Sequence, residues 1–303
     1  MSDDNANGAP PSGHYGEVFD RGYTHYTGER LGRKQAFRSL VGYSMKRAMG
    51  IRKSWTAKVL PFLLYAAAAV PLVIMIGVSA LVPDAEFASY SDYLAAIFVI
   101  VGIFVATTAP EMLCGDRREG ALPLYFARAI ARFDYVLAKV VAMTLLTMTL
   151  SLAPLIILWF GRQLVSDSPG QAMRDNVGDL GRVVFAGALI ALVLGTIGLA
   201  ISSFTDRKGV AVAVIITGFL IGSGIANAGL VLLEDYDWSR YLILFSILDT
   251  FEGIYDHIIH DNVTGSAIAQ ADLSLQVYLG YVLSLVVIGI FILRWRYSPR
   301  DES

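Results

Sequence analysis

Charge is what this sequence most conspicuously lacks. No Asp, Glu, Lys or Arg occurs between Lys58 and Asp84, Asp92 and Glu111, Lys139 and Arg162, Arg182 and Asp206, Lys208 and Glu234, or Asp272 and Arg294. Only 17% of the 303 residues are charged and 55% are hydrophobic, which leaves too little polar surface for a water-soluble globule. Cysteine is nearly missing too: Cys114 stands alone, which excludes an intrachain disulfide. There is no Gly-rich loop ending in Gly-Lys-Ser/Thr, no His-Glu-x-x-His and no nucleophile elbow. The chain therefore has no P-loop of its own and reads as a non-enzyme. Titratable groups are also missing from the middles of the apolar runs, which argues against the rival readings of a secondary transporter or channel and of a polytopic membrane enzyme. Glu111 comes nearest, and beside Cys114, Asp116 and Arg117 it falls at the inner surface.

What is present has the dimensions of a bilayer. A helix rising about 1.5 Å per residue needs roughly 20 apolar residues to cross the hydrocarbon core. The charge-free runs thus predict an all-α membrane protein with spans at about 59–82, 93–113, 135–161, 182–204, 209–233 and 274–294. Residues 1–57 form an N-terminal arm, 58–297 the transmembrane domain and 298–303 a tail; no second soluble domain fits. The arm lacks the apolar core of a signal peptide, so the first span is expected to stay as an anchor. With both termini inside, 20 of the 24 Lys and Arg lie on the inner side, leaving Arg162, Arg174, Arg182 and Arg240 outside among 14 acidic residues. The positive-inside rule then predicts an N-in, C-in multi-pass protein of the cytoplasmic membrane.

Outside the spans, several segments carry a pattern. Residues 1–13 are Gly- and Pro-rich and read as a tail, and aromatics recur from Tyr15 to Tyr26. Between Lys34 and Lys53, Phe37, Leu40, Val41, Met45, Ala48 and Met49 fall on one helical face, with Lys34, Arg38, Lys46 and Arg47 largely off it. This predicts an amphipathic elbow helix in the inner headgroup layer. Pro123 suits the first turn of a short helix over Leu122–Ala131, and Asp134 is placed to cap the third span, with Lys139 near the lipid phosphates. Glycines at 187, 195 and 198, and at 218 and 222, predict close helix packing in the fourth and fifth spans. Between Tyr241 and Ile259 apolar residues at helical spacing alternate with Asp249, Glu252 and Asp256, predicting one or two outer helices broken at Gly253. His257 and His260 are three apart with flanking carboxylates. They are weak metal candidates, since such residues are expected on any solvated acidic loop. Asn262-Val263-Thr264 matches a glycosylation sequon, a weak pattern.

From Gly115 to Lys139 the chain reads Asp-Arg-Arg-Glu-Gly-Ala-Leu-Pro-Leu-Tyr-Phe-Ala-Arg and then, from Asp134, Asp-Tyr-Val-Leu-Ala-Lys. Together with the elbow helix, six spans and outer helices, this resembles the permeases of bacterial type-2 ATP-binding-cassette exporters. The resemblance implies a membrane subunit that pairs with an identical or different second permease and sits on separate cytosolic ATPase subunits, which bind the ATP and Mg; the permease itself holds no cofactor. It implies that the segment from about Asp116 to Ala131 is a coupling helix, docking through Leu122, Leu124, Tyr125 and Phe126 with Arg117, Arg118 and Arg128 as polar anchors. By the same resemblance Phe104, Thr107, Thr108, Thr217, Ser223 and Asn227 line the path. The expected partners are the ATPase, the second permease and membrane lipid, not nucleic acid. Ala129 and Ile130 stand where many relatives carry a Pro, so the coupling helix is expected to run longer here.

Overall fold

The computed structural model describes residues 32–51, 54–81, 90–127, 130–166, 168–259 and 266–298. The arm before residue 32, Arg128, His260 and the sequon at 262–264 lie outside the described residues. In chain order the helices are α1 (Gly32–Ala48), α2 (Trp55–Leu81), α3 (Tyr90–Arg118), α4 (Leu122–Phe126), α5 (Arg132–Val165) and α6 (Pro169–Asp175). There follow α7 (Val177–Ser202), α8 (Lys208–Leu232), a 3₁₀ helix (Ser239–Phe245), α9 (Ile247–Ile259), α10 (Ser266–Ala271) and α11 (Leu275–Arg296). Among the described residues no strand occurs.

Six helices, α2, α3, α5, α7, α8 and α11, are long and apolar enough to cross a membrane. The protein thus reads as multi-pass, as the charge-free runs require. Its helices overrun those runs: α3 continues to Arg118, and α5 spans Arg132–Val165. A charge ends a hydrophobic run but does not end a helix when its head group reaches water or a partner.

Helices α3 and α7 are the most buried of the six, and α5 packs along α7 over the widest contact. A Cβ on Gly198 of α7 would lie 2.5 Å from Val105 Cγ1 of α3, so only glycine permits this approach. The fifth span is different. Gly222 of α8 lies under the Phe245 carbonyl of the 3₁₀ helix, whereas Gly218 has nothing within 4 Å in the chain, so only Gly222 serves a close approach within it. Helices α2, α8 and α11 expose Phe62, Leu63, Val73, Leu220, Val231, Val287 and Phe291, an apolar rim suited to lipid rather than water.

The helix α1 packs on α5 and α3. Leu40 and Ala48 are buried as the pattern predicts, and Lys34, Arg38 and Lys46 are exposed. Arg47 departs from the pattern: it is buried, because a carboxylate waits for it inside. At the opposite end the 3₁₀ helix, α9 and α10 close the bundle. Gly253 does not break α9. It sits in mid-helix where a Cβ would come within 2.6 Å of the Tyr278 ring, so its role is close packing against α11. The break falls at Ser246, whose Oγ accepts the Asp249 N–H and whose carbonyl accepts the Thr250 hydroxyl.

Candidate functional site at the basic end of the bundle

One end of the bundle gathers α1, α4, the last turns of α3, α7 and α11 and the first turns of α5 and α8. Its centre is Asp116, on the last turn of α3 and fully buried. Asp116 Oδ1 accepts Arg47 Nη1 of α1 at 2.8 Å. Oδ2 accepts the Tyr135 hydroxyl at 2.9 Å and pairs with Lys139 Nζ at 2.7 Å, both from α5. Lys139 also donates to the Met112 carbonyl at 2.9 Å, and Arg47 Nη2 reaches Glu119 at 2.7 Å. Gly115 makes this possible, since a Cβ there would collide with the Arg47 guanidinium. Burial works against the charge on Arg47, yet Asp116 and Glu119 more than offset it and hold the guanidinium above its ordinary pKa.

Lys139 therefore does not reach the lipid phosphates. It is 1% exposed and turned inward, because a buried carboxylate paired with two cations and a phenol is satisfied only there. This network joins α1, α3 and α5, and a second set of contacts extends it. Arg117 pairs with Asp206 at 2.9 Å and donates to the Ser203 carbonyl, which also accepts Arg296 Nε of α11 at 3.2 Å. Lys208 of α8 pairs with Glu111 at 2.6 Å, and the Cys114 thiol donates to the Thr205 carbonyl at 3.2 Å. Asp134 caps α5 as expected, accepting the Ala131 N–H at 3.3 Å, and also takes both Nε and Nη2 of Arg33 at 2.6 Å.

The short helix α4 rests on this network. The Tyr125 and Phe126 rings lie 5.7 and 5.8 Å from the Tyr135 ring, whose other neighbour is Tyr297 at 5.4 Å. Burial first, and then the Asp116 charge, push the Tyr125 phenol up to about 12. Leu122 is half-buried, and Leu124 is 70% exposed and points away from the bundle. Of the residues the resemblance assigned to docking, three thus pack on the chain's own core and Leu124 faces outward. Arg117 is held within the chain, and Arg118 is exposed. The helix α4 closes at Phe126, short of the continuation to Ala131 that the sequence predicts, and α5 starts at Arg132; Ala129 lies outside the described residues.

The residues assigned to a path separate into two groups. Phe104 and Thr108 are buried in the bundle, with Thr108 donating to the Phe104 carbonyl at 2.6 Å, and half-buried Thr107 donates to the Ile103 carbonyl at 2.9 Å. Thr217 and Asn227 are exposed and Ser223 is half-buried, on α8. His257 is exposed, with Nδ1 2.8 Å from the Gly253 carbonyl, and no group of three or more His, Cys, Asp or Glu able to hold a metal occurs among the described residues.

The sequence pattern gave no hint of the Asp116 network, because its members are 69 and 23 residues from Asp116. The only available signal was an Asp in the charged cluster that follows an apolar run, with cations in neighbouring segments. The opposite end carries a contrasting feature: burial, then Asp249 and Asp92, raise the Glu252 carboxyl to about 7.

No curated protein matches the chain. Residues 75–302, from α2 through α11, match the family described as "Protein of unknown function (DUF2705)", and the chain belongs to that family.

Proposed function

We propose that this protein is the permease subunit of an ATP-driven exporter in the cytoplasmic membrane, with the basic end facing the cytosol and α4 as its coupling helix. The reading rests chiefly on one observation: α4 presents Leu124 outward while Tyr125 and Phe126 root it on Tyr135, and Tyr135 donates to Asp116. A push on Leu124 would pass through those rings to a carboxylate held by helices α1, α3 and α5. That is the mechanical path a permease without a P-loop needs if its work comes from a separate ATPase. In this reading α1 is the elbow helix, and a second permease, identical or different, covers the exposed face of α8. Thr217, Ser223 and Asn227 then face the path only across that contact. An apolar path suits a hydrophobic or amphipathic cargo.

Two experiments test the reading. Leu124→Asp should abolish co-purification with a nucleotide-hydrolysing subunit while leaving membrane insertion intact; retained association would overturn the docking role. A thiol placed by Ser168→Cys should react with an impermeant reagent from outside and one placed by Ser298→Cys should not, and the reverse pattern would invert the topology.

The buried Lys139–Asp116 pair favours a second reading, ion-coupled secondary transport. Both Asp116 oxygens are already occupied by donors, which leaves no position for a carried ion. Cargo movement by the purified chain alone, driven by an ion gradient, would revive that reading.

A further inference from the structure

Of the cations at the basic end that stand outside the ion network, two share one cavity. Arg132, on the first turn of α5, and Arg294, on the last turn of α11, have no carboxylate partner among the described residues. Together with Phe133, Val136, Tyr297 and Ser298 they line a cavity of about 140 Å³, several times the roughly 30 Å³ share of one water. Each guanidinium lies over an aromatic ring, Arg294 5.6 Å from the Phe133 centroid and Arg132 5.3 Å from that of Phe126. The ring contacts orient the two charges, and no side-chain or backbone acceptor among the described residues takes their N–H groups. Asp134, two residues from Arg132, is engaged on Arg33 through both oxygens.

The surroundings identify the missing partner. One turn deeper along each helix the surface turns apolar, with Leu137 on α5 and Phe291 on α11 exposed, and Trp295 exposed beside Arg294. Charged at the helix ends and greasy below, the crevice has the profile of an anionic phospholipid, with the phosphate between the arginines and an acyl chain against the helices. We infer that the cavity between the first turn of α5 and the last turn of α11 is a binding site for the phosphate head group of an anionic phospholipid, held by Arg132 and Arg294. The site does not depend on what α4 docks against, although the Arg132 contact with Phe126 places it beside α4. Its occupant would bridge α5 and α11.

Trp295 is a native reporter for the test. The full chain is reconstituted in phosphatidylcholine vesicles containing a minor fraction of either phosphatidylglycerol or phosphatidylcholine brominated on the acyl chain. Trp295 emission is taken as the difference between wild type and Trp295→Phe. Brominated phosphatidylglycerol should occupy the site with about tenfold or greater preference over brominated phosphatidylcholine, as expected for two head-group arginines. In Arg132→Gln/Arg294→Gln that preference should vanish, whereas Arg118→Gln, which removes the same kind of charge elsewhere at this end, should retain it. Equal quenching by the two lipids in wild type, or a preference surviving in the double variant, would overturn the proposal. Loss of the preference on adding inorganic phosphate would also overturn it, assigning the site to free phosphate instead of lipid.

Discussion

The two ends of this bundle handle charge in opposite ways. At the basic end Asp116 is buried together with its partners, so that Arg47, Lys139 and Tyr135 turn one carboxylate into a tie between three helices. At the other end Asp249 and Glu252 sit three apart on α9 with Asp92 near them, and burial raises both Asp249 and Glu252, with no cation among the described residues to lower them again. The first arrangement resists being pulled apart, whereas the second is relieved when a proton binds. A bundle tied at its basic end and relieved by a proton at the other is consistent with the rocking motion that the proposed exporter would need.

The largest effect is expected at Asp116. Asp116→Asn leaves Arg47 and Lys139 buried without their shared counter-charge and should cost about 3–5 kcal/mol of stability, read as a large drop in thermal midpoint in detergent. Gly253→Ala tests the tight packing of the other end: a Cβ 2.6 Å from the Tyr278 ring forces a shift and should cost about 1–3 kcal/mol by the same assay. The titration at Glu252 sharpens the contrast. Its folded carboxyl, at about 7 against an ordinary 4.5, keeps its proton where the unfolded chain has lost it. Its contribution to stability is therefore full below about 4.5 and is lost as pH rises to about 7. Glu252→Gln should flatten that slope, and a slope unchanged in the variant would assign it to other groups. The smallest effect should come from the exposed Arg182–Asp179 pair, where Arg182→Ala should cost less than about 1 kcal/mol.

The six apolar helices were legible because a charge-free run of bilayer length is seldom anything but a membrane span. Their ends were less so. Arg118, Arg132 and Arg296 lie inside helices, and no periodicity says whether a terminal cation stops a helix or rides on it. Amphipathic logic placed the exposed cations of α1 correctly but failed at Arg47, and charge-at-the-interface logic failed at Lys139. Both are drawn inward by Asp116, a tertiary partner that lies on a different helix. Gly253 was misread for a related reason: a glycine that admits a neighbouring ring looks the same in sequence as one that ends a helix. The exposure of Leu124 was not foreseen separately from its neighbours, since Leu122, Tyr125 and Phe126 share its apolar character and only packing on Tyr135 separates them.

What meets Leu124 decides whether α4 is a coupling helix. A photoreactive residue in its place, activated in intact cells, should form a cross-link to a protein whose peptides contain a Gly-rich loop ending in Gly-Lys-Ser/Thr. Cross-linking to lipid alone, or to the outer side of the membrane, would contradict it.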